Sequence, residues 1–315
     1  MRPVLYVVVP CYNEQEVLPE TSKRLKAKMS ALLDAGRIGE KSRVMLVNDG
    51  SRDRTWELIE ELHAGDPLFS GVKLSRNRGH QNALLAGLMT AREFADVTIS
   101  MDADLQDDID AMDAFLDEFE KGSDVVYGVR SARASDTAFK RMTAEGFYKL
   151  MKALGVDIVF NHADYRLLSR RTLDALSEYR EVNLFLRGMV PLVGFRSSTV
   201  SYERHERFAG ESKYPLKKML AFAFDGITSL SIKPIRLILS LGVVIFLLSL
   251  LMLLYALISK WTGHADTGWT SILASIWMIG GIQLLCLSVI GEYIGKIYSE
   301  TKQRPRYIIE KILNK

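Results

Sequence analysis

Asp102-Ala103-Asp104 places two carboxylates one residue apart, directly after the apolar run Val97–Met101. Carboxylates so spaced at a strand end can converge on one divalent cation, and Mg²⁺ and Mn²⁺ prefer such hard oxygen ligands. A cation held there can bridge to diphosphate oxygens and stabilise the charge that develops on a leaving nucleoside diphosphate. Four other apolar runs also end in polar residues: Pro10-Cys11-Tyr12-Asn13-Glu14, Asn48-Asp49-Gly50-Ser51, Ser75-Arg76-Asn77-Arg78-Gly79-His80 and Gly128-Val129-Arg130. One polar strand end is ordinary. Five in succession argue for a site. The first loop has no glycine, so the turn that cradles a dinucleotide pyrophosphate is missing, and no glycine-rich Lys-Ser/Thr loop replaces it.

The elements that must carry these loops alternate in type. Strand-like runs Val4–Val9, Arg43–Val47, Val72–Leu74, Val97–Met101 and Asp124–Tyr127 are interleaved with helical patterns over Glu16–Leu33, Asp53–His63, His80–Phe94 and Ile109–Lys121. Such alternation predicts an α/β domain with a mostly parallel sheet and helices on both faces. Ligands in these sheets bind beyond the carboxyl ends of the strands. His80 and Gln81 open a helix; they either face a ligand or cap that helix. Cys11 and Cys286 are too few for a disulfide framework, and Cys11 is expected to be inert packing.

The charge of the chain is unevenly spread. Its 315 residues are 48% hydrophobic and 25% charged, with a net charge of +3 from both signs, which gives little support to nucleic-acid binding. Residues 237–291 carry only Lys260 and Asp266 as formal charges. Within them, 237–259 and 267–291 are uncharged runs long enough to cross a bilayer, joined by a short loop. Six Lys or Arg precede the pair in 207–236, six follow in 292–315, and one lies in the loop. This bias predicts a hairpin with both ends cytoplasmic. Trp261 and Trp269 read as interfacial anchors. The stripe Leu216, Met219, Leu220, Ala223, Phe224, Ile227 and Leu230 predicts an amphipathic helix on the membrane surface, with a core-facing helix as the alternative. The N-terminal run Val4–Val9 is too short for a signal peptide. The expected organisation is a catalytic domain over 1–205, a juxtamembrane segment over 206–236, two spans, and a basic cytoplasmic tail over 292–315.

The segments VVVPCYNE, VNDGS, SRNRGHQNALLAGL, DADLQD and GVR, in this order, resemble a family 2 glycosyltransferase with the GT-A fold. The resemblance continues through Asp164-Tyr165-Arg166-Leu167 and Gly210-Glu211-Ser212-Lys213-Tyr214-Pro215. With the spans and the tail, it is closer to polyisoprenyl-phosphate glycosyltransferases, including dolichol-phosphate mannose synthases and, nearer still, bactoprenol (undecaprenyl-phosphate) glucosyltransferases. It implies that Pro10, Tyr12, Glu14 and Asp49 bind the nucleoside, that Asp102 and Asp104 hold Mg²⁺ or Mn²⁺ with Gln106 beside them, and that Asp164 is a base or an acceptor-positioning group. Arg130, Ser212 and Lys213 match positions expected around phosphates, and Arg76 and Arg166 are further candidates. Two positions depart from the pattern: Asp108 stands where proline is usual, and His162-Ala163 where Gly-Asp often precedes the aspartate.

The implied partners are a UDP-sugar, a polyprenyl phosphate and the bacterial inner membrane; a homo-oligomer is expected, with Gly280 and Gly281 as candidate helix contacts. UDP-glucose is the expected donor, with UDP-N-acetylglucosamine and a modified arabinose donor as alternatives. A lipid phosphate has its second pKa near about 6, so it is mostly dianionic at neutral pH and needs little deprotonation. The harder task is joining two anions, which requires cations. Displacement in one step inverts the anomeric carbon. A processive synthase would carry a Gln-x-x-Arg-Trp motif and more spans, and a transporter would carry buried acids or bases in its spans. A non-catalytic membrane scaffold is the alternative of another class.

Overall fold

The computed structural model describes residues 2–130, 162–203, 227–228, 231–261 and 268–314. They fall into two compact units, one carrying the sheet and the other two long helices.

The first unit is an eight-stranded sheet ordered β7-β5-β6-β4-β1-β2-β3-β8. Its strands are β1 (Leu5–Cys11), β2 (Arg43–Asn48), β3 (Phe69–Leu74), β4 (Val97–Ser100), β5 (Val125–Arg130), β6 (His162–Ser169), β7 (Ser197–Tyr202) and β8 (Ile309–Leu313). The helices are α1 (Leu18–Asp34), α2 (Thr55–Gly65), α3 (His80–Ala91), α4 (Ala111–Glu120), α5 (Arg170–Ser177) and α6 (Leu186–Leu192). The first four strands pair in parallel, in the order β3-β2-β1-β4. Chain order reverses at β1, and a crevice opens beyond the carboxyl ends of strands flanking such a reversal.

The apolar strands are buried on both faces because helices cover both. Leu5, Val7 and Val9 face one way and pack with Leu18, Leu25 and Met29 of α1, Ile59 of α2 and Phe115 of α4. Tyr6 and Val8 face the other and pack with α3, with Leu173 of α5 and with Met189 of α6. The alternation is the period of two that a pleated strand imposes. α3 lies close to the sheet because Gly87 has no side chain: a Cβ there would lie 2.5 Å from Val8 Cγ1 and 2.6 Å from Val47 Cγ2.

Two strands run against the rest and were not foreseen as antiparallel. β6 inserts between β4 and β5 and is antiparallel to both. Its amino end therefore lies at the carboxyl ends of its neighbours, which carries Asp164 to the edge where Asp102 emerges. β8 pairs antiparallel with β3 and closes that edge. The segment read as a basic tail thus supplies the last turns of a helix and a strand of the main sheet. Other boundaries shift by a few residues; β3 starts at Phe69 rather than Val72.

The second unit contains α7 (Lys233–Trp261) and α8 (Trp269–Lys302). These helices contain most of the two uncharged runs. Among the described residues, one stretch, Met278–Lys302 of α8, is long and apolar enough to cross a membrane. Tyr293 of α8 donates its hydroxyl to the carbonyl of Ser231 at 2.6 Å. α8 stops at Gln303, whose φ of 47° is left-handed, just before Pro305. The amphipathic segment 215–230 lies outside the described residues except 227–228, as do Ser212 and Lys213.

Filling the gap at Gly87 tests the close packing of α3. Gly87→Val should lower stability by about 1–3 kcal/mol through overpacking against Val8 and Val47. Thermal unfolding of the purified variant measures this, and an unchanged midpoint would contradict it.

Candidate active site

The first two strand-end loops are stitched together by backbone and side chain. Asn13 has a φ of 56°, a left-handed conformation that asparagine tolerates better than most residues. Its Oδ1 accepts from the Arg52 amide at 2.9 Å, while its own amide donates to Ser51 Oγ at 3.0 Å. The Glu14 amide donates to Thr55 Oγ1, and its carbonyl accepts from Leu18, starting α1. Pro10 sits inside β1, in register with Val47. Tyr12, 42% exposed, lines a cleft of about 460 Å³ with Gly50, Asp53, Trp56, Arg76 and Glu310. Sequence reasoning placed Tyr12 and Arg76 near a ligand; it missed Trp56, Lys73 and Glu310, which share the same cleft.

Asp49 is buried, and both its oxygens are used locally. Oδ1 accepts from the Arg78 amide at 2.7 Å and Oδ2 from the Gly79 amide at 2.9 Å. Burial raises its pKa, and these amides work against that rise. Asp49 therefore shapes the loop between β3 and α3. Gly50, at φ 63°, lets that loop approach: a Cβ would lie 2.4 Å from the Asn77 amide nitrogen.

The loop after β4 is anchored from below. Thr21 Oγ1 donates to the Ala103 carbonyl at 2.8 Å, and the Gln106 amide donates to Asp104 Oδ1 at 3.1 Å. Leu105 is buried at φ 59°, a conformation costly for leucine, on the order of 1–3 kcal/mol. Asp107 is buried beneath. It accepts from the Tyr202 hydroxyl at 2.6 Å and lies 3.7 Å from Arg130 Nη2. Arg130 Nε in turn donates to the Tyr202 oxygen at 3.3 Å. The parallel register pairs Arg130 with Tyr202, which is why these side chains meet. Burial and the charge of Asp102 lift the Asp107 pKa to about 6, with Tyr202 and Arg130 opposing.

Asp164 is the hub of the other wall. Arg166 Nη2 donates to its Oδ1 through a short contact. Arg187 of α6 donates from Nε to Oδ1 at 3.2 Å and from Nη2 to Oδ2 at 3.1 Å. Burial opposes its charge, but Arg187, His80 and Arg166 outweigh it and hold the carboxyl well below the usual range. His80 Nε2 lies 3.6 Å from Asp164 Oδ2 and 3.6 Å from Asp102 Oδ1, so it bridges the two carboxylates. Gln81 Oε1 accepts from the Leu186 amide at 3.0 Å and fixes the start of α6.

The structure thus joins Asp102, His80, Asp164, Arg166 and Arg187 in one cluster, with Asp107, Arg130 and Tyr202 beside Asp102. Tyr12 and Arg76 lie in the neighbouring cleft. Among the described residues no group of three or more His, Cys, Asp or Glu forms a metal cage. Arg187 was missed by sequence reasoning; its one signal was being the sole charge in the run 182–195. Cys11 is buried, and burial pushes its thiol pKa upward, in line with inert packing.

The Glycosyl transferase family 2 model matches residues 6–177 and the GtrB C-terminal hairpin model matches 233–297. The chain is 52% identical over 309 residues to an uncharacterized glycosyltransferase, YkoT, of Bacillus subtilis, covering 98% of this chain and 92% of that one. It is 37% identical over 314 residues to a prophage bactoprenol glucosyl transferase homolog of Escherichia coli, covering 97% and 98%. Among solved structures, glucosyl-3-phosphoglycerate synthase from Mycobacterium tuberculosis covers 72% of this chain and 78% of its own, at 18% identity and TM-score 0.46. The chain belongs to glycosyltransferase family 2. It is a glycosyltransferase whose mostly parallel sheet fits the GT-A pattern, followed by a segment that matches the GtrB C-terminal hairpin model.

The bridge through His80 sets a pH dependence. Partial burial works against its charged form, but the carboxylates of Asp164 and Asp102, each 3.6 Å from Nε2, outweigh it and push the pKa from 6.5 up to about 9. A raised histidine pKa stabilises the fold fully below 6.5, and that contribution is lost as pH rises through about 9. Melting of chelator-treated protein between pH 6 and 10 should show a fall across this window. His80→Gln should flatten it; an equal fall in the variant would assign the effect elsewhere.

Proposed function

We propose that the chain transfers one glucose from UDP-glucose to undecaprenyl phosphate at the cytoplasmic face of the membrane, with inversion at the anomeric carbon. The supporting observation is the cluster itself: Asp102 and Asp164 face each other across His80, with Arg166 and Arg187 behind one and Arg130 beside the other. A carboxylate wall suited to a cation thus adjoins guanidinium groups suited to phosphates. The prophage relative named a bactoprenol glucosyl transferase homolog, matching nearly the whole chain, supports the lipid phosphate acceptor and the glucosyl donor.

The residues present fit a divalent cation by the chemistry of their donors. Asp102 and Asp104 offer hard oxygens at one loop, too few for a closed cage, which leaves coordination positions for diphosphate oxygens. Mg²⁺ or Mn²⁺ held there would neutralise charge on the departing nucleoside diphosphate. Tyr12 and the cleft around it receive the nucleoside. Arg130, steadied by Tyr202 and Asp107, contributes positive charge to the phosphates, and Ser212 and Lys213 complete that role. The acceptor oxygen attacks as a dianion, so the C–O bond to the lipid phosphate forms as the bond to UDP breaks. The apolar stretches of α7 and α8 cross the bilayer as a hairpin, with both chain ends cytoplasmic, and keep the enzyme where its polyprenyl acceptor resides.

A donor screen on purified protein tests the reading. Undecaprenyl phosphate and Mn²⁺ or Mg²⁺ are supplied with UDP-glucose, UDP-N-acetylglucosamine, UDP-galactose or GDP-mannose. A β-linked lipid glucose is expected, with Asp104→Ala reducing the rate by about 10²-fold or more. Transfer from UDP-N-acetylglucosamine alone would move the assignment to that sugar. No transfer from any donor would favour a scaffold role.

A further inference from the structure

We propose that Glu310 of β8 reads the nucleobase of the donor: its carboxylate accepts the N–H on the pairing edge of the pyrimidine ring. The inference rests on the reading above, in which the nucleoside occupies the cleft around Tyr12, and names a residue that recognises its base. Glu310 lies beyond both matched segments and reaches the cleft through sheet pairing alone.

The first support is how β8 presents this residue. Lys73 of β3 stands opposite Lys311, but the next residue, Leu74, stands opposite Ile309. Glu310 is thus the extra residue of a bulge. Bulges re-aim a side chain and are frequent beside active sites. This one is held on both sides. The Ser75 amide donates to the Ile308 carbonyl at 3.0 Å, and Lys311 Nζ lies 2.7 Å from Glu60 Oε1 of α2. An edge strand that only had to cover β3 could pair in regular register.

The second is which carboxylate has an oxygen to offer. Asp53, Glu57 and Glu310 line the cleft. Asp53 spends Oδ1 on the amide and hydroxyl of Thr55 and Oδ2 on the Gln15 amide. Glu57 accepts from Arg54 Nε at 3.0 Å, and both of those side chains are mostly exposed. Glu310 places Oε1 2.8 Å from Lys73 Nζ, while its Oε2 has no partner among the described residues. The pair with Lys73 also limits the rotamers of Glu310, so less freedom is lost when a ligand binds.

The third is what else the cleft brings to a base. Tyr12 and Trp56 supply aromatic rings suited to a planar ligand. Asn48 is 1% exposed; its Oδ1 accepts from the Ser51 amide at 3.2 Å, and its Nδ2 has no hydrogen-bond partner. The parallel register of β2 and β3 sets Asn48 beside Lys73. The pairing edge of a pyrimidine shows two acceptors and one N–H group, whereas that of guanine shows one acceptor and two N–H groups. Donors on Asn48 and Lys73 with an acceptor on Glu310 complement the pyrimidine.

Removing the N–H from the ligand and the carboxylate from the protein tests the contact from both sides. Affinities of full-length protein for UDP, N3-methyl-UDP, CDP and GDP, each with Mn²⁺, are measured in wild type, Glu310→Ala and Lys311→Ala. Wild type should bind N3-methyl-UDP at least about fivefold more weakly than UDP. Glu310→Ala should weaken UDP by at least about fivefold and bring UDP and N3-methyl-UDP within about twofold of each other, because the two changes remove the same contact. Lys311→Ala breaks the other ion pair of β8 and does not line the cleft, so it should bind UDP within about twofold of wild type. An equal loss in Lys311→Ala would make Glu310 a structural residue and overturn the inference. It is equally overturned if Glu310→Ala binds UDP as wild type does, or keeps the full penalty for N3 methylation. Preference of wild type for CDP or GDP over UDP would sink the UDP reading, and the effect of Glu310→Ala on the preferred nucleotide would still decide the role of Glu310. Binding of none of the four by wild type would sink both.

Discussion

Two anions have to meet at one carbon in the proposed reaction, and much of the site is arranged around that repulsion. Positive charge must be concentrated where the phosphates lie, yet arginines left on flexible stems in water would be screened and mobile. The protein ties them to buried carboxylates. Asp164 holds Arg166 and Arg187, and Asp107 lies close to Arg130, with Tyr202 bridging the two. Burying such groups is costly, and removing one partner of a buried pair costs about 3–5 kcal/mol because the other is left uncompensated. The carboxylates therefore act chiefly on the direction of their arginines. The unpartnered buried atoms Asp107 Oδ2 and Arg166 Nε show that local hydrogen bonding is not fully satisfied within the described residues. Such shortfalls concentrate where function competes with packing.

The sheet makes this arrangement possible through one reversed strand. Were β6 parallel, Asp164 would begin at the far edge, a strand length away from Asp102. Running antiparallel between β4 and β5, it starts where they end, and Ser100 Oγ donates to the Asp164 carbonyl at 2.6 Å across that junction. The positions of α3 and α6 follow. His80 enters between the carboxylates from the start of α3, and Gln81 of the same turn holds the start of α6. Strand order, one antiparallel insertion and two helix starts suffice to gather residues from four separated segments.

The parts legible in the sequence were those governed by local pattern. Apolar runs with β-branched residues marked strands, polar strand ends marked the site edge, and Asp102-x-Asp104 stood out because spacing alone makes it chemical. The contributions set by pairing across the sheet were not legible. Tyr202 meets Arg130 because β7 lies parallel to β5 in one particular register, which no local pattern encodes. Arg187 reads as a lone charge in an apolar stretch until β6 brings Asp164 beneath it. Asp49 was assigned to the nucleoside from resemblance, and its oxygens prove to be engaged by the amides of Arg78 and Gly79. That a carboxylate also orders a neighbouring loop is not visible in a linear sequence.

β8 was hidden for a related reason. Ile309-Glu310-Lys311-Ile312-Leu313 is short and charged, and after a long apolar helix it reads as a solvated tail. Such a segment becomes a strand when an unpaired edge offers its backbone groups a partner, and β3 provides that edge. Charges fix its place: Lys73 Nζ lies 2.8 Å from Glu310 Oε1, and Lys311 Nζ 2.7 Å from Glu60 Oε1. Both pairs are largely solvent-facing, so they specify register more than they add stability. Arg306 donates to the Tyr179 carbonyl at 2.9 Å, securing the approach to the strand. Glu310 also lines the cleft that holds Tyr12 and Arg76. The chain that leaves α8 therefore adds a strand to the sheet and one wall of that cleft, so residues 304–314 belong to the unit that carries the site.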